Sequence, residues 1–140
     1  MANISEPITH EAKRTPTPEE ASAMLAELPA CPVATTLTLI GNKWEVLILR
    51  DLLGGTRRFG ELKRSVGDVS QKVLTSKLRE MEASGLVTRT VYAEVPPRVE
   101  YSLTEEGRSL KPVIDAMYAW GEGYKARLRK AAGEKAPRDA

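Results

Sequence analysis

Apolar positions keep helical spacing from about residue 17 to about residue 84, alternate from Leu86, and return to helical spacing near residue 105. Residues 1–16 show no period, contain Pro7 and Pro16, and are expected to form a flexible N-terminus. At Thr17-Pro18-Glu19-Glu20 the residues suit a helix start: Thr17 can accept from a first-turn N–H, Pro18 gives up no needed donor, and Glu20 can reach back. Ala21, Met24, Leu25 and Leu28 follow on one face and Pro29 ends the segment. Residues 17–29 therefore read as a helical arm whose apolar stripe docks on the main domain or on a partner subunit. Cys31-Pro32 opens a segment that runs to about Ile40 and breaks at Gly41-Asn42. Trp44, Leu47, Ile48 and Leu52 then share one side of a helix stopped by Gly54-Gly55. Phe59, Leu62 and Val66 make a short helix closed by Gly67-Asp68, and Ser70 N-caps another that reaches about Ser84 before Gly85.

From Leu86 the period is two: Leu86, Thr88, Thr90 and Tyr92 alternate with Val87, Arg89 and Val91, which predicts a strand. A tip holding Pro96-Pro97-Arg98 leads to a second strand, Val99 to Leu103. Thr104 caps one long helix predicted from Glu105 to about Arg129, with Leu110, Val113, Ile114, Met117, Trp120, Tyr124 and Leu128 as a wide apolar band. Short helices, a hairpin and a closing long helix describe a mostly α fold with a small β-hairpin wing, a winged helix-turn-helix. Residues 30–130 are expected to be that domain and 131–140 a flexible tail. The terminal band exceeds what one small core covers, so Leu25, Leu28, Leu110, Val113, Met117, Trp120 and Tyr124 are expected at a homodimer interface.

Charge adds to this picture through its distribution. The whole chain of 140 residues carries a formal net charge of only +2. Between Arg57 and Arg89, however, eight cations face four anions, an excess that suits a polyanion. On the helix after Ser70, Leu74, Leu78 and Met81 form the buried stripe, and at 100° per residue the opposite face presents Lys72, Thr75, Ser76 and Arg79, with Gln71 at its N-terminal edge. That face contains several kinds of hydrogen-bond donor and no acidic residue, as a helix entering a major groove requires. Ser70 at the helix start, Arg58, and Arg98 at the wing, with Arg89 beside it, complete the expected DNA contacts. The same residues also suit an ordinary solvated face.

Several stretches in order carry a family resemblance: Cys31-Pro32-Val33, Gly41-Asn42-Lys43-Trp44, Ile48-Leu49-Arg50-Asp51-Leu52, Arg58-Phe59-Gly60-Glu61-Leu62, Ser70-Gln71-Lys72-Val73-Leu74, Gly85-Leu86-Val87-Thr88-Arg89 and Val95-Pro96-Pro97-Arg98-Val99-Glu100-Tyr101. Over roughly residues 30 to 122 the chain resembles the HxlR-type winged helix-turn-helix regulators. The resemblance implies a homodimeric transcription factor, often one that senses stress through aldehyde, quinone or disulfide chemistry. It also implies a redox role for the cysteine at the Cys-Pro position, which in some members pairs with a second cysteine of the partner subunit. Cys31 is the chain's single cysteine. Such a pairing is therefore closed to it, leaving a symmetric bond between two copies, a mixed disulfide with a small thiol, or alkylation.

Cys31 precedes a helix start, at the positive end of the helix dipole, a setting in which thiols react with electrophiles. The competing reading is a small packing residue. Other function classes find little support. The single histidine, His10, lies in the irregular N-terminus, and no metal-ligand cluster, phosphate-cradling loop or nucleophile elbow appears, so neither an enzyme, a metal site nor a cofactor is expected. No apolar run approaches the ~20 residues that cross a bilayer. With no secretory pattern at the N-terminus, a cytoplasmic location is the default expectation. The expected function is a regulator binding double-stranded DNA at an inverted-repeat operator as a homodimer, responsive to oxidants or electrophiles through Cys31. Two alternatives stand: control by a small apolar ligand in the dimer core near Met117, Tyr118 and Trp120, or a winged-helix module that binds protein.

Overall fold

Helix caps, more than helix propensity, set the element boundaries. The computed structural model describes residues 7–10 and 16–133, and the chain divides after Ser109 into two units. In the first, α1 (Pro18–Glu27) starts on a reciprocal cap: Glu20 N–H donates to Thr17 Oγ1 at 3.1 Å, and Thr17 N–H donates to Glu20 Oε2 at 3.0 Å. None of its residues is buried, and Met24 and Leu25 stay exposed. Next come α2 (Pro32–Ile40) and α3 (Lys43–Leu52), the latter capped by Asn42 Oδ1, which accepts from Trp44 N–H at 2.8 Å. They are followed by α4 (Phe59–Val66) and α5 (Gln71–Ala83), with Ser70 Oγ accepting from Val73 N–H at 3.1 Å.

The core of this unit is aliphatic. Ile48 and Leu49 of α3, Leu62 of α4, Leu74, Leu78 and Met81 of α5, and Leu86 and Val87 beyond them are fully buried. Each such side chain stabilises the fold by about 1.5–3 kcal/mol relative to exposure. Strands β3 (Val87–Tyr92) and β4 (Arg98–Leu103) form the expected hairpin, in register from Val87↔Leu103 to Tyr92↔Arg98, with a cis Val95–Pro96 bond in the tip. Alternation divides its faces. Val87, Tyr101 and Leu103 are buried, whereas Thr88, Thr90, Tyr92, Arg98, Glu100 and Ser102 share the other side.

Two strands have no counterpart in the periodicity. β2 (Arg57–Arg58) pairs with β4 (Arg57↔Tyr101, Arg58↔Glu100), and β1 (Pro7–His10), within the stretch expected to be flexible, pairs with β3 (Pro7↔Tyr92, His10↔Thr90). The sheet order is β1-β3-β4-β2, all antiparallel. Both additions are short segments recruited by the open edges of a hairpin, whose unpaired N–H and C=O groups accept any extended neighbour. Such long-range pairing leaves no local period to detect.

The closing helix is also divided, where the sequence predicts one. Thr104 caps a short α6 (Glu105–Arg108), and a second helix, α7 (Lys111–Ala131), begins in the second unit with Pro112 in its first turn. A proline ring clashes with the carbonyl four residues back and has no N–H, so a continuous helix through Arg108 is disfavoured and a restart is accommodated. Gly107 holds α6 on the sheet. Its N–H donates to Thr104 Oγ1 at 3.0 Å, Thr104 Oγ1 donates to the Gly85 carbonyl at 2.6 Å, and a Cβ at Gly107 would overlap the Leu86 carbonyl oxygen. Gly107→Ala should therefore destabilise by about 1–3 kcal/mol, the usual cost of overpacking. A thermal melt with unchanged Tm would show that α6 does not pack this closely on the start of β3.

Candidate nucleic-acid interface

The side of α5 that turns outward follows from the side that is buried. Leu74, Leu78 and Met81 occupy the stripe against the core, and Val69, also buried, ties down the turn that enters the helix. Gly67 makes that turn at φ 109°, a backbone setting that L side chains rarely adopt. The two helices thus follow one another closely, and α5 is held by its apolar face. Gln71, Lys72, Thr75, Ser76 and Arg79 come together on the opposite face, where with Glu80 they line an open surface depression. The structure assembles these five predicted residues as one surface. Ser70 sits at the helix start with its hydroxyl engaged by Val73 N–H.

Glu80 corrects the expectation of a face without acid. It borders the donor surface, and Lys77 Nζ lies 3.2 Å from its Oε2, three residues apart on the helix. Behind this pair is Glu45, a residue that the apolar periodicity gave no reason to single out. Glu45 is buried at the start of α3 and accepts from the Asn42 backbone N–H. Burial raises its carboxyl above the ordinary range and the Glu80 charge adds to this, while Lys77 and the Asn42 N–H pull it down. The Asn42-to-Glu45 spacing of a capping box was the available signal.

The wing cations differ in their surroundings. Arg58 is exposed on β2, directly across from Glu100, and its backbone N–H donates to Glu61 Oε1 at 2.8 Å. Arg89 lies on the inward face of β3 and hydrogen-bonds the buried Tyr101 hydroxyl. Burial raises the Tyr101 hydroxyl above its usual range, and Arg89 and Arg79 oppose that shift while Glu82 adds to it. Arg98, expected as a DNA contact at the wing, is the first residue of β4. Its guanidinium lies over the Tyr92 ring at 4.1 Å, with Glu94 and Glu100 at 3.4 and 3.5 Å.

Cys31 is exposed at the N-cap position of α2, where its carbonyl accepts from Thr35 N–H at 2.9 Å. In the second unit, Val113, Met117, Trp120, Tyr124 and Leu128 form an exposed stripe along α7, with Trp120 and Tyr124 stacked at 5.3 Å. Of the other residues expected at an interface, Leu25 is exposed, and Leu28 and Leu110 are half-buried. Tyr118 is also exposed. Among the described residues no group of three or more His, Cys, Asp or Glu could hold a metal ion, and no single helix is long and apolar enough to cross a membrane.

Glu45 generates a pH prediction. A carboxyl that binds its proton more tightly in the folded state contributes stability below its unfolded value of about 4.5, and that contribution is lost as pH rises through the higher folded value. Glu45→Gln keeps an acceptor for the Asn42 N–H and removes the buried charge. The variant should match the native protein in acid and melt higher at pH 7. Melts across this pH range check it, and a variant less stable at pH 7 would show that attraction to Lys77 outweighs burial.

Comparison with known proteins gives this architecture a family. Residues 39–129 match the family model for the HxlR-like helix-turn-helix. YdeP of Bacillus subtilis (strain 168), described as an HTH-type transcriptional regulator, is 51% identical over 100 residues, covering 71% of this chain and 78% of that protein. Among solved structures, the redox regulator HypR in its oxidized form has a TM-score of 0.64 at 48% identity, covering 66% of this chain and 96% of that one. HypR in its reduced form has a TM-score of 0.67 at 45% identity, covering 71% and 99%. The chain belongs to the HxlR-type winged helix-turn-helix family of transcriptional regulators.

Proposed function

We propose that this chain binds double-stranded DNA as a homodimer, laying α5 of each copy in successive major grooves of an inverted-repeat operator, roughly 34 Å apart. The observation that carries this reading is the outward face of α5. Gln71, Lys72, Thr75, Ser76 and Arg79 stand together on a helix fixed from behind by Leu74, Leu78 and Met81. Arg and Gln can form paired hydrogen bonds to base edges, while Lys, Ser and Thr serve bases or phosphates. Arg58, exposed on the sheet edge, serves as a backbone contact. The exposed stripe of α7 supports the dimer, because a row of five large apolar residues, two of them aromatic, is what a partner surface buries. In this scheme residues 30–130 are the DNA-binding and dimerising domain, and α1 is an appended arm.

Fluorescence anisotropy with DNA from the protein's own upstream region tests the reading. The native protein should bind tightly in the presence of competitor DNA. Lys72→Ala/Arg79→Ala should weaken binding at least roughly tenfold, given the ~1–3 kcal/mol carried by a good base contact. The log–log salt slope should fall by about 0.9 for each phosphate that no longer meets a cation. Binding indifferent to both salt and these substitutions would exclude α5 as the reading element.

A second reading adds control by oxidants or electrophiles through Cys31. It is favoured by the exposed thiol at the start of α2 and by the likeness to HypR, a redox regulator in both of its solved forms. Diamide should then change DNA affinity in the native protein and leave Cys31→Ser unaffected. Equal responses of the two would leave Cys31 a plain surface thiol.

A further inference from the structure

The end of the wing holds a cation that is enclosed by its own neighbours. Arg98 and Tyr92 are direct partners across the last rung of the β3–β4 ladder, and the guanidinium carbon lies 4.1 Å from the centre of the Tyr92 ring. Arg98 Nη1 is 3.4 Å from Glu94 Oε1, and Nε is 3.5 Å from Glu100 Oε2. Nε is also buried without a hydrogen-bond partner, so the contact with Glu100 is one of charge rather than a formed bond. The side chain is 22% exposed, against 33% for Glu94 and 25% for Glu100. An arginine that reaches for phosphate keeps its stem along the surface and its head in water. Here an aromatic face and two carboxylates enclose the head, and pairs this sheltered are screened less by salt than open ones.

The count of charges matters as much as the geometry. The Arg98 guanidinium lies within 3.5 Å of two carboxylates, on a hairpin whose tip would lie beside a polyanion. Removing Arg98 would take one positive charge from beside Glu94 and Glu100, and the added repulsion from phosphate would oppose docking of the whole domain. Arg58, exposed and directly across from Glu100 on the same sheet face, is better placed to reach the DNA backbone.

We propose that Arg98 is a positioning residue that locks the wing: it clamps Glu94 and Glu100 against Tyr92, neutralises them for the approach to DNA, and makes no phosphate contact of its own. This rests on the DNA-binding reading, so the test has one arm with DNA and one without.

Four proteins are compared: native, Arg98→Met, Glu94→Gln/Glu100→Gln, and the triple variant. In thermal melts without DNA, Arg98→Met should lower Tm in the native background and have little effect when both glutamates are already neutral. Equal losses in the two backgrounds would overturn the lock. In DNA titrations, Arg98→Met should weaken binding by roughly five- to tenfold, the scale of two partly exposed ion pairs. The triple variant should return to within about twofold of native with its salt slope unchanged. If instead the triple variant stays weak and its slope falls by about 0.9 per subunit, Arg98 is a phosphate contact and the proposal fails. Coupling in the melts with no DNA binding by the native protein would sink the DNA reading and keep the lock.

Discussion

Three side chains, Leu74, Leu78 and Met81, carry the arrangement on which the candidate interface depends. All are buried, and they belong to the one helix that must be held from behind while its front stays open. At 3.6 residues per turn, burying this stripe leaves the helix no freedom over which residues it shows. Gln71, Lys72, Thr75, Ser76 and Arg79 become a surface because the leucines are a core. Removing one such leucine side chain would cost about 2–5 kcal/mol, a large fraction of a small domain's stability. Selection for packing and selection for recognition therefore act on alternate faces of a single helix, with little interference.

Charge around this helix is balanced locally. Glu80 borders the donor face and is met by Lys77, Glu45 lies behind that pair, and at the wing Glu94 and Glu100 close on Arg98. Acidic residues beside this donor surface would weaken its attraction for a polyanion, but each of these has a cation within reach. The excess of eight cations over four anions between residues 57 and 89 already includes the Lys77–Glu80 pair. The basic residues left exposed, Arg58, Lys72 and Arg79 among them, are those placed to act at distance or by contact.

Much of this was legible in the sequence, and the reason is local chemistry. Thr17 with Glu20 and Ser70 with Val73 are caps whose partners lie three residues away, so the helix starts could be read directly. The apolar stripe of α5 and the alternation of β3 are likewise short-range patterns. What escaped the sequence depends on residues far apart along the chain. The edge strands β1 and β2 exist because a hairpin offers them open edges, and Glu45 is perturbed by a helix some thirty positions on. How closely Glu94 and Glu100 approach Arg98, although all three are near in sequence, depends on the register of the hairpin. The break before α7 was an exception: Pro112 announced it, and the strength of the surrounding apolar period masked it.

The central claim is that α5 reads a major groove at two sites related by the dimer axis. Methylation interference at guanine N7, an acceptor on the major-groove edge, tests it most directly. The account predicts two clusters of blocking methylations, centred about one helical turn (10–10.5 base pairs) or a multiple of it apart and symmetric about the operator centre. Binding that tolerates N7 methylation throughout, yet is abolished by a ligand filling the minor groove, would contradict it.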